Sequence, residues 1–125
     1  MTYEERKAQV RYYLGRNVEM VVDRPIGYVH HKKTYSLTYP INYGYIPGIL
    51  GGDGEELDVY LYGVSVPVAR YTGRIVGIVH REDDVEDKLI MAPDGVCPTA
   101  VELEAAVRFQ ERYYRFHVET LSEDE

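Results

Sequence analysis

The sequence predicts a mainly β, α+β domain: a small, closed, OB-like β-barrel of about five or more strands with a C-terminal helix packed on it. Three observations lead there. Short β-branched or alternating runs recur at Val18–Val22, Leu57–Tyr62, Arg74–Val79 and Lys88–Ala92. Glycine and proline fall between them, at Pro25, Gly27, Pro40, Gly44, Pro47, Gly48, Gly51, Gly52, Gly54, Gly63, Pro67 and Gly73, as short strands joined by turns require. Beyond Pro98 the apolar period becomes that of a helix.

Taken in order, residues 1–15 form an N-terminal helical extension. Its helix, over 2–14, starts on Glu4, Glu5, Arg6 and Lys7 and stops at Gly15, with a poor apolar face. The barrel occupies 18–97. Within it Leu57, Val59 and Leu61 alternate with Asp58, Tyr60 and Tyr62, and the strand from Lys88 to Ala92 ends at Pro93. The last helix is placed at 99–117, because Thr99 and Glu102 fit a capping box and Leu103, Ala106, Val107, Gln110, Tyr113 and Tyr114 recur at helical spacing. One end of that stripe is apolar and suits the core; the other is tyrosine and overlooks something polar. The acidic end, Ser122 to Glu125, reads as a solvated terminus.

Composition bounds the function. At 125 residues and 45% hydrophobic the chain matches one domain, residues 1–125. A net charge of -7 and a pI of about 5.1 oppose a nucleic-acid or anionic-membrane surface, and an OB-type nucleic-acid module would need a basic, aromatic face. No apolar run approaches the ~20 residues that span a bilayer, and the charged N-terminus does not resemble a signal peptide. The single cysteine, Cys97, excludes an internal disulfide, so a reducing, cytoplasmic setting is expected. Thirteen tyrosines stand against two phenylalanines and no tryptophan; Tyr39, Tyr43, Tyr45, Tyr60 and Tyr62 lie in or beside strand-like runs, packing their rings and leaving hydroxyls for polar partners.

The chemistry sits in two acidic clusters, Asp53, Glu55, Glu56 and Asp58, then Glu82, Asp83, Asp84, Glu86 and Asp87 just before Lys88. Brought face to face, these carboxylates need proton uptake or a divalent ion, and oxygen-only ligation favours a hard ion such as Mg²⁺. Zinc is disfavoured. His30 and His31 are adjacent and point apart on a strand, and no second histidine or cysteine pair supports them. His80 and His117 form no constellation.

With the clusters placed at strand ends, a family resemblance emerges. Tyr39-Pro-Ile-Asn-Tyr-Gly-Tyr-Ile-Pro, followed by Asp53-Gly-Glu-Glu-Leu-Asp-Val, resembles the soluble, family I inorganic pyrophosphatases, in which a Tyr-Pro-x-Asn-Tyr-Gly-Tyr stretch precedes an Asp-Gly-Asp-Pro-x-Asp signature. Arg81 to Pro93 is similar to that family's second acidic loop and the strand starting at its phosphate-binding lysine, and Phe109 to Arg115 to its late helix. The resemblance runs from Val18 to Phe116 in abbreviated form.

It implies an OB-like barrel whose cavity binds several Mg²⁺ ions, with Mn²⁺ as an alternative, and one pyrophosphate, which metal-activated water hydrolyses to two phosphates. It implies Asp53, Glu55, Asp58, Asp83, Glu86 and Asp87 as metal ligands, with Glu86 and Asp87 as alternatives beside Asp83. Catalytic roles fall to Glu55, Asp58, Lys88 and Tyr43, and substrate contacts to Lys88, Tyr43 and Tyr113. Homo-oligomerisation is implied as well.

The departures are informative. Glu55 replaces the family's central aspartate, and its extra methylene displaces the carboxylate by about 1 Å unless the backbone withdraws, a misplacement that costs on the order of 100-fold. Gapless alignment from Lys88 sets Glu86 and Arg81 on two family aspartates; a one-residue gap brings in Asp83 and Asp87. Tyr114 replaces the helix lysine. The early family arginine has no counterpart, and Lys33, in His30-His31-Lys32-Lys33, is chosen as a phosphate contact together with Arg24, whose alternative is a surface pair with Asp23. Two other readings stand beside pyrophosphate hydrolysis: a hydrolase of another phosphoanhydride such as a nucleotide, and a non-catalytic phosphate- or metal-binding protein.

Overall fold

The chain opens with α1 (Tyr3–Tyr13) and passes through β1 (Asn17–Arg24), β2 (Val29–His31), β3 (Ser36–Thr38), β4 (Asn42–Leu50), β5 (Glu56–Leu61), β6 (Arg70–Arg81) and β7 (Lys88–Ala92) to α2 (Ala100–Glu111) and β8 (Phe116–Thr120). This computed structural model describes residues 1–121. The acidic end read as a solvated terminus, 122–125, lies outside the described residues.

Five strands close into a barrel. β1 pairs with β4, β4 with β5, β5 with β7, β7 with β6, and β6 returns to β1. At 12 residues β6 is long enough for two partners along one edge, β1 at 70–74 and β8 at 77–81. Only β5 and β7 run parallel within the barrel, with Val59 opposite Leu89, so Asp58 and Lys88 enter at the same end. β2 and β3 form a separate hairpin.

Alternation along each strand divides the core in two. Val59, Leu61, Leu89, Met91, Ile75 and Ile78 join Met20, Ile46, Leu57 and Val10 of α1 in one cluster. The intervening Tyr60, Ile90, Ala92, Val76 and Val79 meet Tyr39, Tyr43 and the α2 residues Leu103 and Val107 in the other. β7 is therefore buried along its whole length. Leu89, Ile90 and Met91 each contribute about 1.5–3 kcal/mol by leaving water.

One glycine fixes how β1 meets β4. A Cβ on Gly44 would lie 1.8 Å from the Val21 carbonyl oxygen, so a side chain there is excluded. Beside it β1 bulges between Val22 and Arg24, and Arg24 then pairs with Tyr43. The bulge re-aims Asp23 and Arg24 relative to the regular strand.

The last helix departs from its predicted extent. The Thr99–Glu102 capping box forms, but α2 ends at Glu111 and not at 117. Gln110 and Glu111 turn inward to meet buried tyrosines, and Phe116-His-Val-Glu-Thr alternates and joins β6 as a strand, an element the helical reading overlooked. Tyr113 and Tyr114 lie in the connection between the two. At the other end, α1 carries its own capping box, Thr2 with Glu5, and buries Arg6, Lys7 and Val10. Its weak apolar face is explained by docking through cations.

Candidate active site

Strand ends, the β2–β3 hairpin and the segment after α2 surround a cavity of about 240 Å³. Its charged lining is Arg24, Lys32, Arg81 and Lys88 against Asp23, Asp58 and Glu86, an excess of cations on a chain of net charge -7. Next to it lies an open concavity of the opposite kind. Asp23, Glu55, Glu56 and Asp58 line it together with Tyr45, Leu50 and Gly54, and among the described residues no cation does. Asp23 and Asp58 belong to both walls, so an anion-binding and a cation-binding space adjoin there.

Asp58 is the hinge of the site. β5 delivers it beside Lys88 of β7, whose Nζ donates to Asp58 Oδ2 at 2.9 Å and to the Tyr43 hydroxyl at 2.5 Å. The Tyr43 hydroxyl in turn donates to Asp58 Oδ2 at 2.7 Å. Burial alone would raise the Asp58 carboxyl, but Lys88 and the Tyr43 bond hold it below the usual range. Burial, reinforced by Asp58, pushes the Tyr43 hydroxyl well up, so it stays a donor. Burial also raises Glu86, to about 7, and the neighbouring Asp58 adds to this. A raised Glu86 beside Asp58 shows the tendency to proton uptake that two facing carboxylates produce.

A continuous hydrogen-bonded chain crosses the floor of the cavity. Arg24 Nη1 donates to the Tyr39 hydroxyl at 2.6 Å, and that hydroxyl donates to Gln110 Oε1. Gln110 Nε2 donates to the Tyr60 hydroxyl at 2.7 Å, which donates to Glu111 Oε2 at 2.7 Å. Glu111 finally accepts from Arg81, through Nε at 2.8 Å and Nη2 at 3.0 Å. Burial disfavours the Arg81 charge, yet Glu111 outweighs it and keeps the guanidinium ionised. At the rim, the Tyr35 ring stacks on Tyr113 at 5.1 Å and joins the hairpin to the segment after α2.

The expected site residues separate into groups. Arg24, Tyr43, Asp58, Glu86, Lys88 and Tyr113 line the cavity. Glu55 lines the acidic concavity, and its carboxylate has no partner among the described residues. Asp53 is exposed and accepts the Glu55 backbone N–H at 3.0 Å, shaping its own turn. Lys33 is exposed outside the cavity lining, and the preceding Lys32 takes that place. Asp83 turns to the Arg115 N–H at 3.2 Å.

Asp87 requires a correction. It is buried away from the cavity, with Oδ2 accepting from Arg6 Nε at 2.9 Å and Oδ1 accepting from Lys7 Nζ at 2.9 Å and the Arg81 N–H at 3.0 Å. With both oxygens held by α1 and the chain, it does not face the cavity. Of the alternatives Glu86 and Asp87, Glu86 lines the cavity and Asp87 does not.

Sequence reasoning missed Asp23, Tyr35, Gln110, Glu111 and the cavity-facing role of Arg81, and preferred Lys33 to Lys32. One signal was present. Asp23 precedes Arg24 at the end of a strand that pairs with the Tyr-Gly-Tyr strand, where Arg24 stands opposite Tyr43.

The donors suit a divalent ion on one side only. Among the described residues no group of three or more His, Cys, Asp or Glu side chains forms a ready-made metal cage. Mg²⁺ does not need one, since it keeps several waters and binds through one or two carboxylates plus substrate phosphates. The Asp23, Glu55, Glu56 and Asp58 wall fits that chemistry.

A family model described as inorganic pyrophosphatase matches residues 9–114. The inorganic pyrophosphatase of Helicobacter pylori is 39% identical over 69 residues, 49% of this chain and 38% of that protein. Inorganic pyrophosphatase 2 of Pseudomonas syringae pv. tomato is 35% identical over 83 residues, 61% of this chain and 45% of that protein. The matched stretches thus span less than half the length of these relatives. In fold, the chain is similar to the inorganic pyrophosphatase of Ehrlichia chaffeensis, with a TM-score of 0.66 at 19% identity over 90% of each chain. The Helicobacter pylori enzyme structure gives a TM-score of 0.63 at 20% identity over 86% of each chain. The motifs, the closed barrel and the family match over 9–114 agree: this chain belongs to the inorganic pyrophosphatase family.

Proposed function

We propose that the chain hydrolyses inorganic pyrophosphate to two phosphates with Mg²⁺ as cofactor. The observation that carries this is the meeting of a cation-lined cavity and a carboxylate-lined concavity at Asp58. Mg²⁺ bound to Asp58, with Asp23, Glu55 or Glu56 beside it, would lower the pKa of water and neutralise phosphate charge. The chain's own residues do the rest. Lys88, Arg24 and Lys32 attract the phosphate oxygens, with Lys88 held in place by Asp58 and Tyr43. Glu55, with no competing partner among the described residues, accepts a proton at its carboxylate. Tyr113 borders the far side of the cavity and, with Tyr35, limits its extent.

Size favours a small substrate. A cavity of about 240 Å³ falls below the ~300–1,000 Å³ of sites that take drug-sized ligands, so a diphosphate suits it better than a nucleotide. A cytoplasmic setting accords with a single unpaired Cys97, and the net charge of -7 opposes a nucleic-acid partner.

Phosphate release from magnesium pyrophosphate and from magnesium ATP, each with and without EDTA, tests the reading. Release from pyrophosphate alone, abolished by EDTA, is the expected result. Faster release from ATP would transfer the assignment to nucleotide hydrolysis, and no release from either would leave a silent binder.

A further inference from the structure

The second acidic loop, residues 82–87, carries its own positive charge. Gapless alignment from Lys88 sets Arg81 where the resembled family has an aspartate, and the geometry around that position is closed. The Arg81 side chain is 3% exposed and forks onto Glu111, itself at 0%. Arg81 Nη1 donates to Asp84 and to Glu86, each at 3.0 Å. The Tyr114 ring covers the guanidinium at 3.7 Å. Four N–H groups are committed, which leaves one on Nη2 without a partner among the described residues.

The rest of the loop is equally well matched. Glu82 pairs with Lys7 and His117, Asp87 with Arg6 and Lys7, and Glu86 with Lys88 as well as Arg81. Arg6 also ties down the backbone, donating to the carbonyls of Asp84 and Arg81. A Cβ on Gly52 would lie 2.3 Å from the Val85 carbonyl oxygen and 2.8 Å from Arg6 Cδ, so a glycine is needed where the first acidic turn packs on this loop.

We propose that Arg81 stands in for a divalent ion: it engages Asp84 and Glu86 through Nη1 and, with Lys88, offers a fixed guanidinium donor to a phosphate group, so that this loop binds no metal. The inference rests on reading the cavity as a phosphoanhydride site. A metal reaching Glu86 would have to displace Arg81 or Lys88, and displacing Arg81 strands Glu111 as an unpaired charge in the core. It would also sit beside two cations where solvent screens poorly. A guanidinium neither dissociates from the site nor loses its proton, so part of the anion affinity should persist when divalent ions are removed.

Calorimetric titration of the full chain in EDTA with imidodiphosphate, a diphosphate analogue with an N–H bridge, reads the anion site without metal or turnover. The expected result is binding by the wild type, a loss of at least tenfold in Arg81→Met, and partial retention in Arg81→Lys. Equal affinity in wild type and Arg81→Met overturns the proposal, as does a wild type that binds nothing in EDTA. Manganese titration followed by paramagnetic resonance is the second arm, and it keeps the test decisive where Arg81→Met does not fold. Asp84→Asn, at a side chain 30% exposed, is expected to keep the manganese stoichiometry of the wild type, and loss of one ion per chain overturns the proposal. Phosphate release is recorded separately. Its absence beside Arg81-dependent analogue binding defeats the proposed reaction and leaves the role of Arg81 standing.

Discussion

The first acidic turn and the second acidic loop look alike in sequence and differ in what the fold has done with their charge. In the turn, among the described residues, the Glu55 carboxylate has no partner, Glu56 accepts one backbone N–H, and only Asp58 meets a cation. In the loop, Glu82, Asp84, Glu86 and Asp87 are all paired with basic side chains, and Asp83 with a backbone N–H. Acidic density therefore says that compensation is needed without saying what supplies it. Where Arg6, Lys7 and Arg81 supply it, no ion is required; where they do not reach, carboxylates remain open to one.

Substitution on the two sides should break in different ways. Asp58→Asn carries the largest expected effect, a fall of roughly 100-fold or more in phosphate release with weakened Mg²⁺ binding, because it removes a candidate ligand and the anchor of Lys88. Asp83→Asn, assayed beside it, should stay within about twofold; equal losses in the two would erase the distinction.

Asp87→Asn probes the other kind of charge. Leaving Arg6 and Lys7 buried without their carboxylate should destabilise the fold by about 3 kcal/mol in chemical denaturation. Magnesium affinity of the folded fraction should be retained, and a metal defect without a stability defect would return Asp87 to the ligand set.

The smallest effect is one of pH. Glu86 has a folded pKa of about 7 against an ordinary value of 4.5, so over that window the metal-free folded state binds more protons than the unfolded one. Its contribution to stability is complete below 4.5 and is lost as pH rises through about 7. The difference in melting temperature between wild type and Glu86→Gln, measured in EDTA, should change across this window and flatten outside it; a constant difference would remove Glu86 as the titrating group.

Much of the frame was legible because it depends on local pattern. β5 and β7 follow from alternation and β-branching, and the start of α2 from Thr99 with Glu102, which lie three residues apart. Asp58, Lys88 and Tyr43 were reachable through motifs. The rest depends on pairings between distant residues. Arg6 meets Asp87 across 81 positions and Arg81 meets Glu111 across 30, and no composition rule links them. The exchange of Lys33 for Lys32 has the same origin, because hairpin register decides which of two adjacent lysines faces the cavity. The overextended helix shows propensity yielding to tertiary demand at Gln110 and Glu111.

The tyrosine-rich cavity wall has a practical corollary for spectroscopy. With no tryptophan in the chain, near-ultraviolet emission comes from phenols, and Tyr35, Tyr43, Tyr113 and Tyr114 border the space a ligand would fill. Tyr43 already donates to a carboxylate, an arrangement that quenches phenol fluorescence, so an occupant that reorganises Asp58 alters the signal without any attached dye. The unlabelled protein thus carries its own optical gauge of occupancy.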